Sequence, residues 1–384
     1  MNPMRSLLPF YISKTRDEVI FFGPGYSTKQ EIESGLGYFI ERHGPFDLEI
    51  RTVQSLPPEI IDGIASNFDK NRLTFFKKSF CFQFDLSCLK NFWTGLGQEE
   101  STTEKKVMLL HNYDFQAMNS AFKGYLVDNF NLIVGLSEDF WDSHKYESLS
   151  ISNQYRHTSA WTEILATAGE KVLGLPNFVA AHEFDFNALE NRAHDWSIVG
   201  TSYNNRQVAK RVLSKHAADF ISGRTLSYYS IMMKRRLGLR PLSSRKNLDL
   251  FNREFQLTLS ASKFSYTCGS DLRMPIRKFF EIPAAGCVLV ATPCNGFKEL
   301  GFAGGVNSIV CEPTELGEVH TFLKKNPTTA QQIAKRGQHL VLNKHTITTR
   351  AEQLWHALRL LCNDRYFGSY WDNGDLIFKK SIAE

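Results

Sequence analysis

The chain reads as an α/β protein of two successive domains, each built on a parallel sheet, facing one another across a central cleft. Three observations predict this. Short apolar runs rich in Val, Ile, Leu and Phe alternate with longer stretches of helical period, as in strands joined by crossover helices. A polar, irregular stretch from about Phe184 to Asp195 interrupts the alternation, which restarts at Trp196. The 384 residues are enough for two hydrophobic cores.

Taken in order, Glu18–Phe22 is a buried strand followed by the turn Gly23, Pro24, Gly25, Tyr26, and a helical pattern runs from about Lys29 to Arg42. Phe46–Ile50, Lys106–Leu110 and Asn131–Gly135 are the next strands. The third of these four strands ends in His111, Asn112, Tyr113 and Asp114; Ser137 and Glu138 are placed to cap the helix after the fourth. Trp196–Gly200 opens the second domain. Further on, Glu281 lies late in a helix that Ser270 or Asp271 caps, with Pro275 near its first turn. Pro283 should kink the end of that helix, and Gly286 stops it. A buried strand follows, then a polar glycine loop, Asn295–Glu299, entering another helix. Two more helices run from about Asn326 and from Thr346 to Leu361.

The composition is that of an ordinary globular protein, 42% apolar and 22% charged, with thirty phenylalanines for a large core. A net charge of +5 is too mild to call for nucleic acid and suits anionic substrates or an anionic membrane surface. Most of the excess lies between Lys210 and Arg253, where eleven Lys and Arg face only Asp219 and Asp249. Peripheral membrane contact through 210–253 is one use of that charge; a solvated helix face is the other. The seven cysteines are odd in number and scattered, without a C-x-x-C pair, so the expectation is a reducing, cytoplasmic setting with no disulfide framework. Leu7–Ile12 is too short for a signal segment and Ile282–Ala291 too short to span a membrane. There is no Asp-x-Asp motif to hold a bridging metal, no P-loop, and no strand-linked G-x-G-x-x-G.

A helix carboxylate followed by a strand and a glycine loop is the pattern of a nucleotide-binding half-site. Ligands of open α/β sheets sit at the carboxyl ends of parallel strands, where free N–H groups meet phosphate. Arg277, Phe280, Glu281, Ile282, Pro283, Ala284, Ala285 and Gly286 carry a specific likeness: the run resembles the C-terminal domain of group-1 glycosyltransferases, closest to the spore-maturation-type glycosyltransferase-like branch. Glu299–Phe302, Asn307–Ile309, Ile333–Gly337 and His345, Thr346 with Arg350 extend it, and Ser197–Tyr203 with Arg206 resembles the first strand and loop of that domain. Phe22–Tyr26 resembles the first N-domain loop.

The resemblance implies the GT-B architecture: a Rossmann-like acceptor-side domain over 1–190, a Rossmann-like nucleotide-sugar domain over 191–361, and a terminal segment, 362–384, crossing back to the first. It implies retaining, metal-independent transfer from a nucleotide-diphosphate-sugar to a glycan, lipid-linked or protein acceptor, with no cofactor. Glu281 would hold the ribose hydroxyls, though it also stands four residues after Arg277, a spacing that makes an ordinary helix ion pair. Gly200, Thr201 and Arg206 would neutralise the leaving diphosphate, with Arg277 and Lys263 as further cations for that role. Asn295, Gly296, Phe297 and Glu299 would line the diphosphate or donor sugar. His111 with Asp114 would stand at the catalytic strand end, and Gly23, Gly25 and Tyr26 at the acceptor loop. The larger family often carries a second glutamate eight positions before the ribose carboxylate; here Arg273 stands there, with Asp271 nearby. That departure keeps two other readings open, a non-catalytic nucleotide- or carbohydrate-binding scaffold and a nucleotide-sugar epimerase or hydrolase. Thr346 and Arg350 read as structural, a cap and a brace for the helix that follows.

Overall fold

Phe80, Phe82 and Phe84 alternate with Cys81, Gln83 and Asp85, a period of two that suits an antiparallel strand covered on one face. In the computed structural model this segment joins a five-stranded sheet of β1 (Leu48–Thr52), β2 (Phe80–Asp85), β3 (Lys106–His111), β4 (Leu132–Leu136) and β5 (Val172–Leu175), in that spatial order. The structure describes residues 48–52, 80–85, 106–111, 124, 127–128, 130–136, 164, 167–179, 181–200, 204–223, 245–269, 275–294 and 296–381. The first strand expected from sequence, at Glu18–Phe22, lies outside them, as do the helix at 29–42 and the cap at 137–138. The α/β class is the one observed, but this sheet is mixed rather than parallel throughout. β1, β2 and β3 pair antiparallel, and β3, β4 and β5 pair parallel. β2 had been passed over because its aromatics alternate instead of forming a continuous apolar run.

The second sheet is parallel throughout. It contains β6 (His194–Val199), β7 (Phe220–Gly223), β8 (Ser262–Thr267), β9 (Val288–Ala291) and β10 (Ile309–Val310), ordered β10-β9-β8-β6-β7. Between them run α1 (Asn204–Lys215), α2 (Arg245–Ser260) and α3 (Lys278–Ala284); α4 (Leu316–Lys325) and α5 (Pro327–Lys344) follow. Counted along the chain, the strand order is 2-1-3-4-5, the flavodoxin-like doubly wound arrangement. One face is sealed by Trp196 and Ile198 of β6, Phe264 and Tyr266 of β8, and Val288 and Val290 of β9, packed on Leu213, Leu316, Leu323 and Ile333. Trp196 is fully buried, and its indole N–H donates to His320 Nδ1 at 3.0 Å. Asn326 precedes α5 and Pro327 occupies its first turn, where the missing proline N–H costs nothing.

The chain divides into two compact units. One comprises Asn177–Thr349 with Asp372–Asp375; the other includes the first sheet, Arg350–Trp371 and Leu376–Glu384. The division falls at Pro176/Asn177 instead of 190/191. The polar stretch that had read as a boundary is tied into the second-sheet unit: Asp185 N–H donates to the Ala284 carbonyl at 3.0 Å, and Gln338 Nε2 donates to the Asp185 carbonyl at 2.7 Å. The return to the first-sheet unit begins at Arg350, inside α6 (Ile347–Cys362), not at 362. Arg350 Nε donates to the Pro176 carbonyl at 3.1 Å, its guanidinium lies 4.7 Å over Trp371, and Trp371 Nε1 donates to the Gly174 carbonyl at 2.9 Å. Thr346 caps α6 by accepting from Thr349 N–H at 3.2 Å, so both residues are structural, as their spacing suggested. The tail closes in the hairpin β11 (Ser369–Asp372) and β12 (Asp375–Phe378).

Candidate functional site

In a 2-1-3-4-5 sheet the connections leave in opposite directions from the first and third strands. The crevice beyond their carboxyl ends is where such sheets take ligands. Here the switch point lies between β6 and β8, at Val199–Gly200 and Thr267–Cys268. Gly200 has φ of +104°, and a Cβ there would stand 2.7 Å from both Cε and Nζ of Lys278 and 2.9 Å from Nη1 of Arg206. Only glycine permits so close an approach of two cations to the backbone. Arg206 sits in the first turn of α1, 1% exposed, and its Nη2 donates to Thr267 Oγ1 at 3.2 Å. Thr267 thus ties the β8 end to the α1 guanidinium and fixes where that fork points. Close by, Tyr266 and Thr292 hydroxyls meet at 2.8 Å across β8 and the end of β9, and burial pushes the Tyr266 phenol upward.

The second wall is α3. It begins at Lys278, later than the cap expected at Ser270 or Asp271, since the chain is not helical at Pro275 and Ile276. Pro283 lies inside α3, whose last amides still close on the preceding turn. Cys287 N–H donates to the Ile282 carbonyl at 3.1 Å and Gly286 N–H to the Pro283 carbonyl at 2.8 Å, a Schellman ending with Gly286 at φ +71°. A Cβ on Gly286 would lie 2.5 Å from Arg192 Nη2 and 2.6 Å from the Asp185 carbonyl oxygen. The helix end is therefore pinned, and with it Glu281.

Glu281 is 5% exposed and forms the expected ion pair with Arg277, Nε to Oε1 at 3.2 Å. Arg277 also holds Glu183 at 2.7 Å, so one guanidinium lies between two carboxylates. Arg277, expected as a further diphosphate cation, is thus engaged by Glu183 and Glu281. Lys278, which the sequence reading did not single out, is the cation that lies beside Arg206 at Gly200.

The segment after β9 is a compact turn over Gly296–Gly301, not the expected helix entry. Leu300 N–H closes on the Gly296 carbonyl at 3.1 Å and Phe302 N–H on the Phe297 carbonyl at 3.0 Å. Among the described residues, no backbone acceptor meets the N–H groups of Gly296, Phe297 and Lys298. The Phe297 ring belongs to the core, edge-on to Phe279 with centroids 5.9 Å apart and stacked on Phe302 at 5.1 Å. Only its backbone is available to a ligand. The Glu299 carbonyl accepts from Gly374 N–H at 2.8 Å, which anchors the turn to the hairpin tip.

Lys263 is at the wrong end of its strand. It is the second residue of β8, and its ammonium pairs with Asp195 at the start of β6, 3.0 Å away, with Lys324 on the same carboxylate at 2.9 Å. Burial tends to raise the Asp195 pKa, but the hydrogen bonds and charges of Lys324 and Lys263 outweigh it and hold the carboxyl below its usual range. His111 is the last residue of β3, at the carboxyl end of its parallel pairing with β4, opposite Leu136. Gly23, Gly25, Tyr26, Asp114, Thr201, Asp271, Arg273 and Asn295 lie outside the described residues. Among the described residues, no three His, Cys, Asp or Glu side chains are grouped to hold a metal ion, and no helix is long and apolar enough to cross a membrane. Three contributors were missed: Thr267, Lys278 and Glu183. The signal for Lys278 was its position three residues before Glu281, one turn back along the same helix.

Residues 240–356 match a family model described as glycosyl transferase-like. No curated protein matches the chain. Among solved structures, HepE of Anabaena in complex with UDP is similar at 14% identity, covering 65% of this chain and 78% of that one with a TM-score of 0.43. A glycosyltransferase from Rickettsia africae is similar at 13% identity over 80% of this chain and 83% of its own, TM-score 0.42. The C-terminal domain of the group 1 glycosyl transferase LpcC of Francisella tularensis is similar at 15% identity over 44% and 99%, TM-score 0.30. The fold described above stands on its own strand order and pairing.

Proposed function

We propose that the protein is a glycosyltransferase of the GT-B architecture, transferring a sugar from a nucleotide-diphosphate donor. The observation that carries the reading is the switch point of the second sheet: Arg206, fixed by Thr267, is directed at the Gly200 turn, while the pinned helix α3 presents Glu281. The glycosyl transferase-like match over residues 240–356 covers α3 and the turn after β9 and supports it. Glu281 accepts the ribose hydroxyls, oriented by Arg277. Arg206 binds phosphate oxygens, and the Gly296–Lys298 amides face the diphosphate or the donor sugar. Charge that develops on the leaving diphosphate is stabilised by groups already in place, the largest contribution an enzyme of this kind supplies.

On this proposal the donor domain is the second-sheet unit, and the first-sheet unit shapes the acceptor side, with His111 at a strand end there. Transfer is retaining and metal-independent: the departing phosphate oxygen takes the acceptor's proton on the face it leaves, and the protein positions the partners. The transferred group is a hexose, and the chain sits closest to the spore-maturation-type branch. It works in the cytoplasm, with the excess of Lys and Arg over 210–253 touching an anionic membrane that carries the acceptor. Arg273, where the larger family often has a glutamate, favours one second reading, a nucleotide-binding scaffold without catalysis.

The test is a thermal-shift screen of UDP, GDP, ADP, CMP and dTDP and their common sugars against the protein and Glu281→Ala, followed by product analysis with the sugar that binds. A stabilisation of about 2.7 kcal/mol is expected at a hundredfold excess over Kd. It should vanish in Glu281→Ala, and a new glycoside should form. No shift for any nucleotide with folded protein would overturn the reading; a shift without donor turnover would select the scaffold.

A further inference from the structure

Lys278 belongs to an apolar helix, yet its side chain is drawn inward instead of reaching solvent. It is 7% exposed, and its ammonium and last methylene both lie 2.7 Å from the point a Gly200 Cβ would occupy. Arg206 Nη1, from α1, lies 2.9 Å from the same point. Two cations from two helices therefore converge on one left-handed glycine at the carboxyl end of β6. Lys278 also stands three residues before Glu281, so α3 carries an ammonium and a carboxylate on one face, one turn apart. Within a nucleotide, ribose hydroxyls and the distal phosphate are separated on a similar scale, about one helical turn or a little more.

We propose that Lys278 is the residue by which this protein distinguishes a nucleoside diphosphate from a monophosphate. α3 acts as a ruler: Glu281 engages the ribose hydroxyls and Lys278, with Arg206 across Gly200, engages the second phosphate. The sequence reading gave the diphosphate to Arg206, with Arg277 and Lys263 as further cations; the structure shows Arg277 bound between Glu183 and Glu281 and Lys263 paired with Asp195. The ammonium of Lys278 is a compact point charge, and the Arg206 fork beside it is tied to Thr267. The inference rests on the donor-site reading above and adds which group reads phosphate number.

The experiment is isothermal titration calorimetry with UDP, GDP and ADP and with UMP, GMP and AMP, on the wild-type chain, Lys278→Gln and Lys278→Arg. For the base that binds, Lys278→Gln should weaken the diphosphate about tenfold or more, the loss expected for one charge-assisted hydrogen bond. The monophosphate should change by less than about threefold, so the ratio between the two collapses. Lys278→Arg should restore much of the ratio. Gly200→Ala leaves Lys278 in the chain but puts a Cβ where its ammonium and the Arg206 fork meet, and it should give the same selective loss. Equal weakening of diphosphate and monophosphate in Lys278→Gln, or an unchanged ratio in both Lys278→Gln and Gly200→Ala, would overturn the assignment while leaving the donor site standing. If wild-type protein binds none of the six, the donor-site reading fails and this inference with it.

Discussion

Gly286→Ala isolates the contact on which the placement of α3 depends. Two separate costs arise. An alanine at φ +71° enters the left-handed region, at about 1–2 kcal/mol. Its methyl would also stand 2.6 Å from a backbone carbonyl, that of Asp185, and 2.5 Å from Arg192 Nη2. Neither neighbour yields easily. Asp185 is held by hydrogen bonds to Ala284 and Gln338, and Arg192 donates to the Asn187, Leu259 and Ser262 carbonyls. Overpacking of that kind costs about 1–3 kcal/mol. A stiffer unfolded chain returns about 0.4–1 kcal/mol, leaving a net loss of about 3 kcal/mol. Gly305 is the matched control: φ is +78°, but a Cβ there meets nothing within 4 Å. Gly305→Ala should therefore lose only the conformational part, about 1 kcal/mol. Scanning calorimetry should show the Gly286→Ala transition lower by roughly 6–12 °C and Gly305→Ala by roughly 2–4 °C. Equal losses in the two variants would refute the steric argument and the claim that α3 is pinned at its end.

Thr267→Val removes the hydroxyl that Arg206 Nη2 meets while keeping the shape of the strand end; diphosphate affinity should fall about five- to tenfold in calorimetric titration, from a loss of about 1 kcal/mol or slightly more. Lys263→Met should leave nucleotide affinity within about twofold, because the side chain lies at the far end of β8, and it should raise the pH of acid unfolding. The sign follows from Asp195: a carboxyl held below its usual 3.8 contributes stability above that pH and loses it as pH falls further, so removing one of its two lysines narrows the gain. His320 is shifted the other way for a base: burial, with Lys324 and His216 nearby, lowers its pKa from 6.5 against the pull of Asp195. The unfolded chain then binds the extra proton first, so stability is full above about pH 6.5 and falls below it, as the Nδ1 that accepts from Trp196 is protonated; denaturant midpoints at pH 7.5 and 5.5, read by Trp196 fluorescence, should differ in wild type and converge in His320→Gln.

What the sequence disclosed and what it withheld divide along a physical line. Gly286, β9, α5 and α6 were legible because their signals are local: a glycine stop, an all-apolar run, Asn326 before Pro327, and Thr346 before a periodic stretch. The Glu281–Arg277 pair was legible for the same reason, a spacing of four on one helix. Lys263 was misassigned because a strand pattern says nothing of which end of the sheet a residue occupies; that follows from the pairing of β8 with β6 and β9. Lys278 was passed over because its partner in position, Gly200, belongs to a distant strand, and only the crossover of the chain between β7 and β8 brings the two together. The boundary read at Phe184–Asp195 differs from the observed division in a related way. Its polar groups are met by Ala284, Gln331 and Gln338, partners far along the chain, so polarity did not mean solvent.

The second sheet also has a bearing on how copies of this chain behave when crowded. Among the described residues the edge strand β10 is brief, contributing two residues. An edge strand offers its outward amides and carbonyls as a template, and the strength of a foreign strand's attachment grows with the number of rungs. A two-residue rim with Val310 partly exposed presents almost no ladder, and the Gly304–Ser308 bridge turns the chain away just before it. Brevity at β10 thus protects that edge of the all-parallel sheet from sideways growth. Lengthening β10 by even a few β-branched residues would convert a quiet boundary into a site of self-association.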